Sequence, residues 1–217
     1  MAAAVHGERL ARLSLDRQMT EASLQVLQAQ IEPHFLFNTL ANIKRLYLID
    51  PAQGRTLLRN LSDYLRAALP QMREPGSTLR RELALTQAYL NVLQVRMGER
   101  LTVEVAVPGE LLDASLPPMM LPTLVENAIK HGINPLPRGG TVRISAEHHD
   151  TMFKLMVADN GAGFRKESGT GIGLANTRAR LASLYGTGAR LSLNANPGGG
   201  VVAAIELPFQ PARSNAA

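Results

Sequence analysis

The sequence predicts an α+β fold in two parts: a helical N-terminal region, then an α/β sandwich whose mixed, mostly antiparallel sheet carries helices on one face. Three observations predict it. Residues 8–98 are rich in Leu, Ala, Gln, Arg and Glu, all good helix formers, and sparse in glycine. From Leu101 onward the texture changes to short stretches that alternate apolar and polar residues. Two helical patterns, at about 118–131 and 172–185, are interleaved with those stretches. The expected parts are therefore 1–98, 99–208 and a flexible tail over 209–217.

In the first part, Leu24, Leu27, Ile31, Phe35 and Asn38 recur at i, i+3, i+4, i+7 spacing and share a helix face. At roughly 100° per residue, His34 falls at the edge of that face, where it borders a helix–helix seam and still reaches solvent. Pro33 precedes it, and a proline inside a helix removes a hydrogen bond at a cost of roughly 3 kcal/mol. Asp50-Pro51 marks a break. A second helix is expected over 52–69, with Leu57, Leu58, Leu61, Tyr64, Leu65 and Leu69 as its apolar stripe. Pro70 to Ser77 is expected as a loop. Thr78, with Glu82 nearby, opens a third helix that runs to about Met97, and Gly98 stops it. Two or three amphipathic helices cannot bury their stripes alone. Pairing with a second copy gives a four-helix bundle, so a homodimer is expected.

In the second part, strands are expected at Leu101–Val107, Thr141–His148, Met152–Ala158, Ala189–Ala195 and Val201–Leu207. The tail from Gln210 is expected to fray.

Composition narrows the function. A hydrophobic content of 45% over 217 residues is enough for a real core. The chain has no cysteine, which excludes disulfides and thiolate metal sites and fits a reducing compartment. No apolar run approaches the ~20 residues that span a bilayer, and the opening MAAAVHGERL lacks the apolar stretch of a signal peptide. The net charge of +5 is scattered, and aromatic residues, only 4% of the chain, do not interleave with the basic ones. That pattern disfavours direct nucleic-acid binding and leaves a phosphate-bearing small ligand.

Three segments carry the chemistry. In Leu121-Pro-Thr-Leu-Val-Glu-Asn-Ala-Ile-Lys-His131, apolar residues pack a helix on the sheet while Asn127, Lys130 and His131 project together or nearly so. An amide oxygen suits a hard cation such as Mg²⁺, and the two basic side chains suit phosphate. In Asp159-Asn-Gly-Ala-Gly-Phe164, a carboxylate at a strand end can accept from an exocyclic amine such as adenine's. Gly161 and Gly163 let backbone approach a flat base, although Asn-Gly is also a common turn pair. Gly169-Thr-Gly-Ile-Gly-Leu174 enters a helix, where exposed N–H groups attract phosphate. It lacks both the parallel βαβ context of a dinucleotide fold and the Lys-Ser/Thr of a Walker loop.

Taken in series, these segments resemble the ATP-binding domain shared by gyrase, the heat-shock chaperone, histidine kinases and mismatch-repair ATPases, over about residues 100–208. With QIEPHFLFNTL upstream, YLNVLQVRMGERL between, and GTGIGLANTRARL followed by Leu184-Tyr185-Gly186, the chain resembles the catalytic half of a LytS/YehU-type sensor histidine kinase. That resemblance implies ATP and Mg²⁺ as cofactors, and His34 as the acceptor of the γ-phosphoryl group. It implies Asn127 on Mg²⁺, Lys130 and His131 near the phosphates, and Asp159 on the adenine amine with Gly161 and Gly163 shaping its pocket. Gly169, Gly171 and Gly173 would line the phosphates below a lid, with Asn176 and Arg178 on the lid-side helix. It also implies dimerisation through the N-terminal helices and a response regulator partner with LytTR-type output. Localisation would be cytoplasmic, with membrane attachment on the inner-membrane face only through segments outside this chain.

Two departures from commoner histidine kinases follow. Those carry an acidic residue directly after the histidine, where this chain has Phe35. The nearest carboxylate is Glu32, roughly 200° away on an ideal helix, and Asn38, one turn on, can orient the imidazole. The lid is short, with only Arg165 to Ser168 between Phe164 and Gly169. Hydrolytic members of the superfamily place a water-activating glutamate one turn before the Mg-binding Asn. Here that position is Thr123, which favours phosphotransfer over hydrolysis. The rivals are a serine kinase or ATPase on the same fold and a nucleotide-binding docking module.

Overall fold

The computed structural model describes residues 33–71, 74–164 and 172–210. It divides into two compact units, one ending at Leu58 and one beginning at Arg59. The sequence had placed the boundary at 98/99. The third helix of the chain packs into the sheet-bearing unit, as described below.

In the first unit, helix α1 (Pro33–Ile49) is followed by the start of helix α2 (Pro51–Gln71). Phe35, Thr39 and Leu46 are the buried residues of α1, at spacings of four and seven, which is one helical face. The Thr39 hydroxyl donates to the Phe35 carbonyl at 2.7 Å. Leu24, Leu27 and Ile31, expected on the same stripe, lie outside the described residues. Asp50 ends α1 and caps α2: its carboxylate accepts from the Gln53 N–H at 3.1 Å, and Pro51 takes the first helical position, where its missing N–H costs nothing. A Cβ at Gly54 would lie 3.1 Å from the Tyr47 backbone nitrogen, so this glycine permits the sharp corner.

Helix α2 buries Leu57, Leu61, Tyr64, Ala68 and Gln71. That stripe corrects the expected one. Leu58 is 50% and Leu69 38% exposed, because each sits about 100° around the helix from a buried neighbour. The helix also runs through Pro70, where a loop was expected. The ring's fixed φ is compatible with a helical residue, although the N–H it lacks forgoes one helical bond. The Gln71 amide then donates to the Arg81 carbonyl at 2.9 Å.

A two-residue strand β1 (Ser77–Thr78) leads into helix α3 (Leu79–Met97). Thr78 caps the helix, accepting from the Arg81 N–H at 3.4 Å, and Gly98 at φ 57° ends it. Glu82 is not part of that cap. It is fully buried and bonded to a distant turn, as described below. Strand β2 (Leu101–Ala106) follows, then β3 (Ser115–Leu116), which pairs antiparallel with β1 and was not expected from the sequence.

Helix α4 (Met120–Asn127) passes directly into a π-helical turn, Ala128–Ile133. Strands β4 (Gly140–His149) and β5 (Met152–Asp159), helix α5 (Ile172–Tyr185), and strands β6 (Arg190–Ala195) and β7 (Val201–Pro208) complete the unit. The sheet order is β2-β4-β5-β7-β6, with β2 and β4 parallel and the other pairs antiparallel. Val142, Ile144 and Ala146 of β4 alternate inward, as do Phe153, Leu155 and Val157 of β5, so one face is core. With them are buried Leu121, Leu124, Val125 and Ile129 of the α4 segment. The other face carries a charged row among small and apolar residues such as Met156, Val202 and Ala204. Register lines up Glu147, Lys154, Glu206 and Arg190 across four strands, and alternating charges there suit a solvated face.

Phe153 has no exposed surface in the middle of this core. Phe153→Ala is expected to cost about 3–5 kcal/mol, read as a lowered midpoint in denaturant unfolding with nucleotide absent.

Candidate active site

The site is built around Asp159, the last residue of β5. The residue is only 3% exposed. The Gly161 N–H donates to Oδ1 at 2.8 Å, and the Val201 N–H donates to the carboxylate as well. Burial pushes its pKa up from the ordinary value, and the two backbone donors partly oppose that shift. Three glycines make the packing possible. A Cβ at Gly132 or at Gly200 would overlap Asp159 itself, and one at Gly161 would overlap the Gly132 backbone. Gly200 also sits at φ +87°, which other residues rarely adopt. Asn196 closes the turn that presents it: the side chain donates to the Asp159 carbonyl at 2.8 Å, and its backbone N–H to the Gly200 carbonyl at 3.1 Å. Asn160 holds the neighbouring strand, its side-chain oxygen accepting from the Thr141 N–H at 2.7 Å.

The π turn brings Gly132 there. Its wider bond pattern, with the Asn134 N–H donating to the Ile129 carbonyl at 2.8 Å, buries Ala128, Ile129, Gly132 and Ile133. The Gly132 carbonyl then accepts from the Ala162 N–H at 3.0 Å. Such turns recur at functional sites. Asn127 ends the α-helical part and is half-buried. His131 is half-buried and Lys130 is exposed. The π turn therefore separates Lys130 and His131 from the regular helical spacing used to group them with Asn127.

Gly163 lies at φ +69° beside this pocket. Gly173 opens α5, where a Cβ would lie 3.4 Å from the Thr123 methyl group. The Thr123 hydroxyl is itself engaged, donating to the Met119 carbonyl at 2.6 Å. Asn176 and Arg178 are exposed on α5. Gly169 and Gly171 lie outside the described residues. Among the described residues no cluster of three or more His or acidic side chains could cage a metal. Mg²⁺ does not require one, since it takes one or two protein oxygens and completes its shell with phosphates and water. Asn127 fits that demand.

His34 and Asn38 belong to the first unit. His34 is exposed in the first turn of α1, and the Asn38 amide nitrogen lies 3.0 Å from Nε2 and 3.2 Å from Nδ1. An amide one turn on therefore stands within hydrogen-bond reach of the imidazole. Glu32 lies outside the described residues. Sequence reasoning missed Gly132, Gly200 and Asn196. The run Gly198–Gly200 was the available signal for the second, since consecutive glycines mark close backbone approach. Only the three-dimensional contact marks the others.

A glycine-wrapped carboxylate at a strand end, faced by a helix carrying an amide, defines the class. Residues 113–211 match the family described as histidine kinase-, DNA gyrase B-, and HSP90-like ATPases. Residues 22–101 match the histidine kinase family, and the chain belongs to the histidine kinases of the LytS type. It is 34% identical over 211 residues to the sensor protein LytS of Oceanobacillus iheyensis, covering 90% of this chain and 36% of that one. It is 34% identical over 195 residues to the sensor histidine kinase/phosphatase LytS of Staphylococcus aureus, covering 83% of this chain and 33% of that one. The chain thus spans about a third of the length of these curated relatives. The catalytic domain of histidine kinase ThkA shares the fold at a TM-score of 0.51 and 20% identity, over 63% of this chain and 97% of that one. The histidine kinase domain of the blue-light-activated kinase from Erythrobacter litoralis does so at 0.51 and 16%, over 79% and 91%.

Gly132→Ala is expected to weaken adenine-nucleotide binding about ten- to a hundredfold, the equivalent of forcing a methyl group into a packed site. Titration calorimetry on the intact chain checks it.

Proposed function

We propose that the chain is the phosphotransfer and catalytic portion of a two-component sensor kinase that autophosphorylates His34 from ATP and passes the group to an aspartate of a response regulator. One observation carries the reading: an exposed imidazole, held by a single amide, on the same chain that builds the Asp159 pocket. The adenine amine donates to the Asp159 carboxylate, and Gly161 and Gly163 leave room for the ring. Asn127 would hold Mg²⁺, which neutralises phosphate charge when bound. Lys130, His131 and Arg178 serve the phosphate end, with Gly169, Gly171 and Gly173 below the lid.

In the transfer, the unprotonated ring nitrogen of His34 attacks the γ-phosphorus. A nitrogen–phosphorus bond forms, the bond to the β,γ-bridging oxygen breaks, and ADP leaves with that electron pair. The other ring nitrogen then gives up its proton. Glu32, the carboxylate nearest in sequence, is assigned as its acceptor, and Asn38 as the group that orients the ring. Phe37, Leu40, Tyr47, Leu48 and Ile49 of α1 are exposed, which supports pairing of two copies through the N-terminal helices. The receiver of the regulator is the further partner, with LytTR-type output and no direct nucleic-acid contact by this chain. No described helix is long and apolar enough to cross a membrane. A cytoplasmic kinase portion is the localisation that goes with this reading.

After incubation with labelled ATP and Mg²⁺, the wild type is expected to carry an acid-labile label that His34→Gln lacks. Acid-stable label, or label persisting in the variant, would favour a serine kinase. Nucleotide binding without any label would leave a docking module. Asn127→Asp is expected to abolish labelling while leaving the α-helical signal in circular dichroism unchanged.

The raised pKa of Asp159 sets two opposite pH trends. Only the charged carboxylate is the full acceptor, so nucleotide affinity falls as pH drops through the raised value, beginning above the range of an ordinary carboxylate. Stability without nucleotide runs the other way. The folded state holds this proton where the unfolded state has released it, so the group's contribution is complete below the unfolded pKa and is lost as pH rises through the folded one. Asp159→Asn is expected to bind weakly at every pH and to flatten both trends. A pH series of calorimetric titrations and thermal melts measures them.

A further inference from the structure

We propose that Glu82 is a positioning residue for the phosphate end of the nucleotide site, a role that rests on the kinase reading above. Glu82 projects from α3 and is fully buried, far in sequence from any segment assigned to the site. Its two carboxylate oxygens accept separately, one from the Met119 N–H at 2.9 Å and one from the Leu121 N–H at 3.1 Å. The Ser77 hydroxyl and the Met120 N–H add to the same group, and burial opposes its ionisation. These donors are the first N–H groups of α4, which have no partner within the helix. The negative charge sits at the positive end of that helix.

The turn so held is strained. Met119 lies at φ 67°, a left-handed conformation that non-glycine residues keep only where their surroundings enforce it. Three elements enforce it here. Glu82 comes from α3, the Thr123 hydroxyl binds the Met119 carbonyl from α4 itself, and Arg180 of α5 donates to the Pro118 carbonyl at 3.0 Å. Apolar residues pack one helix on another at less desolvation cost than a buried carboxylate. What the carboxylate adds is a fixed position for the head of α4. That helix has only eight residues, so its head fixes its foot, where Asn127 stands and the π turn to Lys130 and His131 begins. Asp159 is held mainly from outside α4, by β5, Gly161, Val201 and Asn196, while Gly132 packs on it from the far end of the π turn, five residues beyond Asn127. Loss of Glu82 should therefore disturb the phosphate and metal end and spare adenine recognition.

The test is calorimetric titration of the full chain with ADP, with and without Mg²⁺, for wild type, Glu82→Gln and Ser77→Ala. Glu82→Gln keeps the shape and one acceptor but loses the charge. It is expected to bind Mg²⁺-free ADP within about twofold of wild type and to lose about tenfold of the Mg²⁺-dependent gain, the scale of one charge-assisted hydrogen bond. In autophosphorylation its KM for Mg²⁺·ATP should rise by a similar factor, with kcat lowered as well. Ser77→Ala leaves the backbone bonds in place and should show the same split at smaller size, which keeps the test open if Glu82→Gln does not fold. A wild-type gain in both variants overturns the role, as does an equal fall in Mg²⁺-free and Mg²⁺-dependent binding. A wild type with no Mg²⁺-dependent gain removes the metal reading of Asn127, and the positioning role with it. That failure is seen in the unmutated chain and so is distinct from the others.

Discussion

The nucleotide site of the second unit is organised around the buried carboxylate of Asp159. A carboxylate removed from water is costly unless donors compensate, and Asp159 has two backbone donors, from Gly161 and Val201. An ionised carboxylate offers about four acceptor positions, so capacity remains for a ligand amine. Bringing backbone this close leaves no room for Cβ atoms, which is why Gly132, Gly161 and Gly200 converge from three separate segments. The sheet supplies the fixed point: β5 lies between β4 and β7, paired on both edges, and ends at this residue.

The helix facing the carboxylate has to satisfy two spacings at once. Leu121, Leu124 and Val125 bury on the sheet at ordinary helical intervals. Ala128 and Ile129 continue that buried face, and Gly132 and Ile133 follow on it through the π turn, whose Asn134 N–H reaches back five residues to the Ile129 carbonyl. A local departure from ideal helix geometry is what lets one short segment pack on the sheet and meet the carboxylate.

Much of this was legible in the sequence because it is local. The five sheet strands alternate, Thr78 caps α3 and Gly98 ends it, and Asp159 falls at a strand end as its preceding run implied. The misses all involve partners distant in the chain. Glu82 is a good first-turn residue for α3, and nothing near it in sequence shows that its carboxylate belongs to the turn at Met119. The pairing of Ser77–Thr78 with Ser115–Leu116 rests on two residues a side, too few to show a period. Leu58 and Leu69 looked buried because they are leucines, whereas the stripe is set by Leu57, Leu61, Tyr64 and Ala68 at alternating spacings of four and three. α3 likewise reads as one more helix of the N-terminal series until its buried contacts with α4 are seen.

The missing acidic neighbour of His34 also follows from packing. Adjacent residues on a helix lie about 100° apart, so exposing His34 on α1 turns the next side chain inward. Phe35 is 6% exposed. A carboxylate there would have to be desolvated without a charged partner, and it would hold its proton rather than accept one. Phenylalanine fills the position at no such cost and anchors the first turn, while Asn38, one turn on, stands beside the imidazole without carrying charge. An amide can fix a tautomer but cannot take a proton. On this scaffold the orienting and proton-accepting roles must therefore fall to different residues, and the second must come from outside the pair His34 and Asn38.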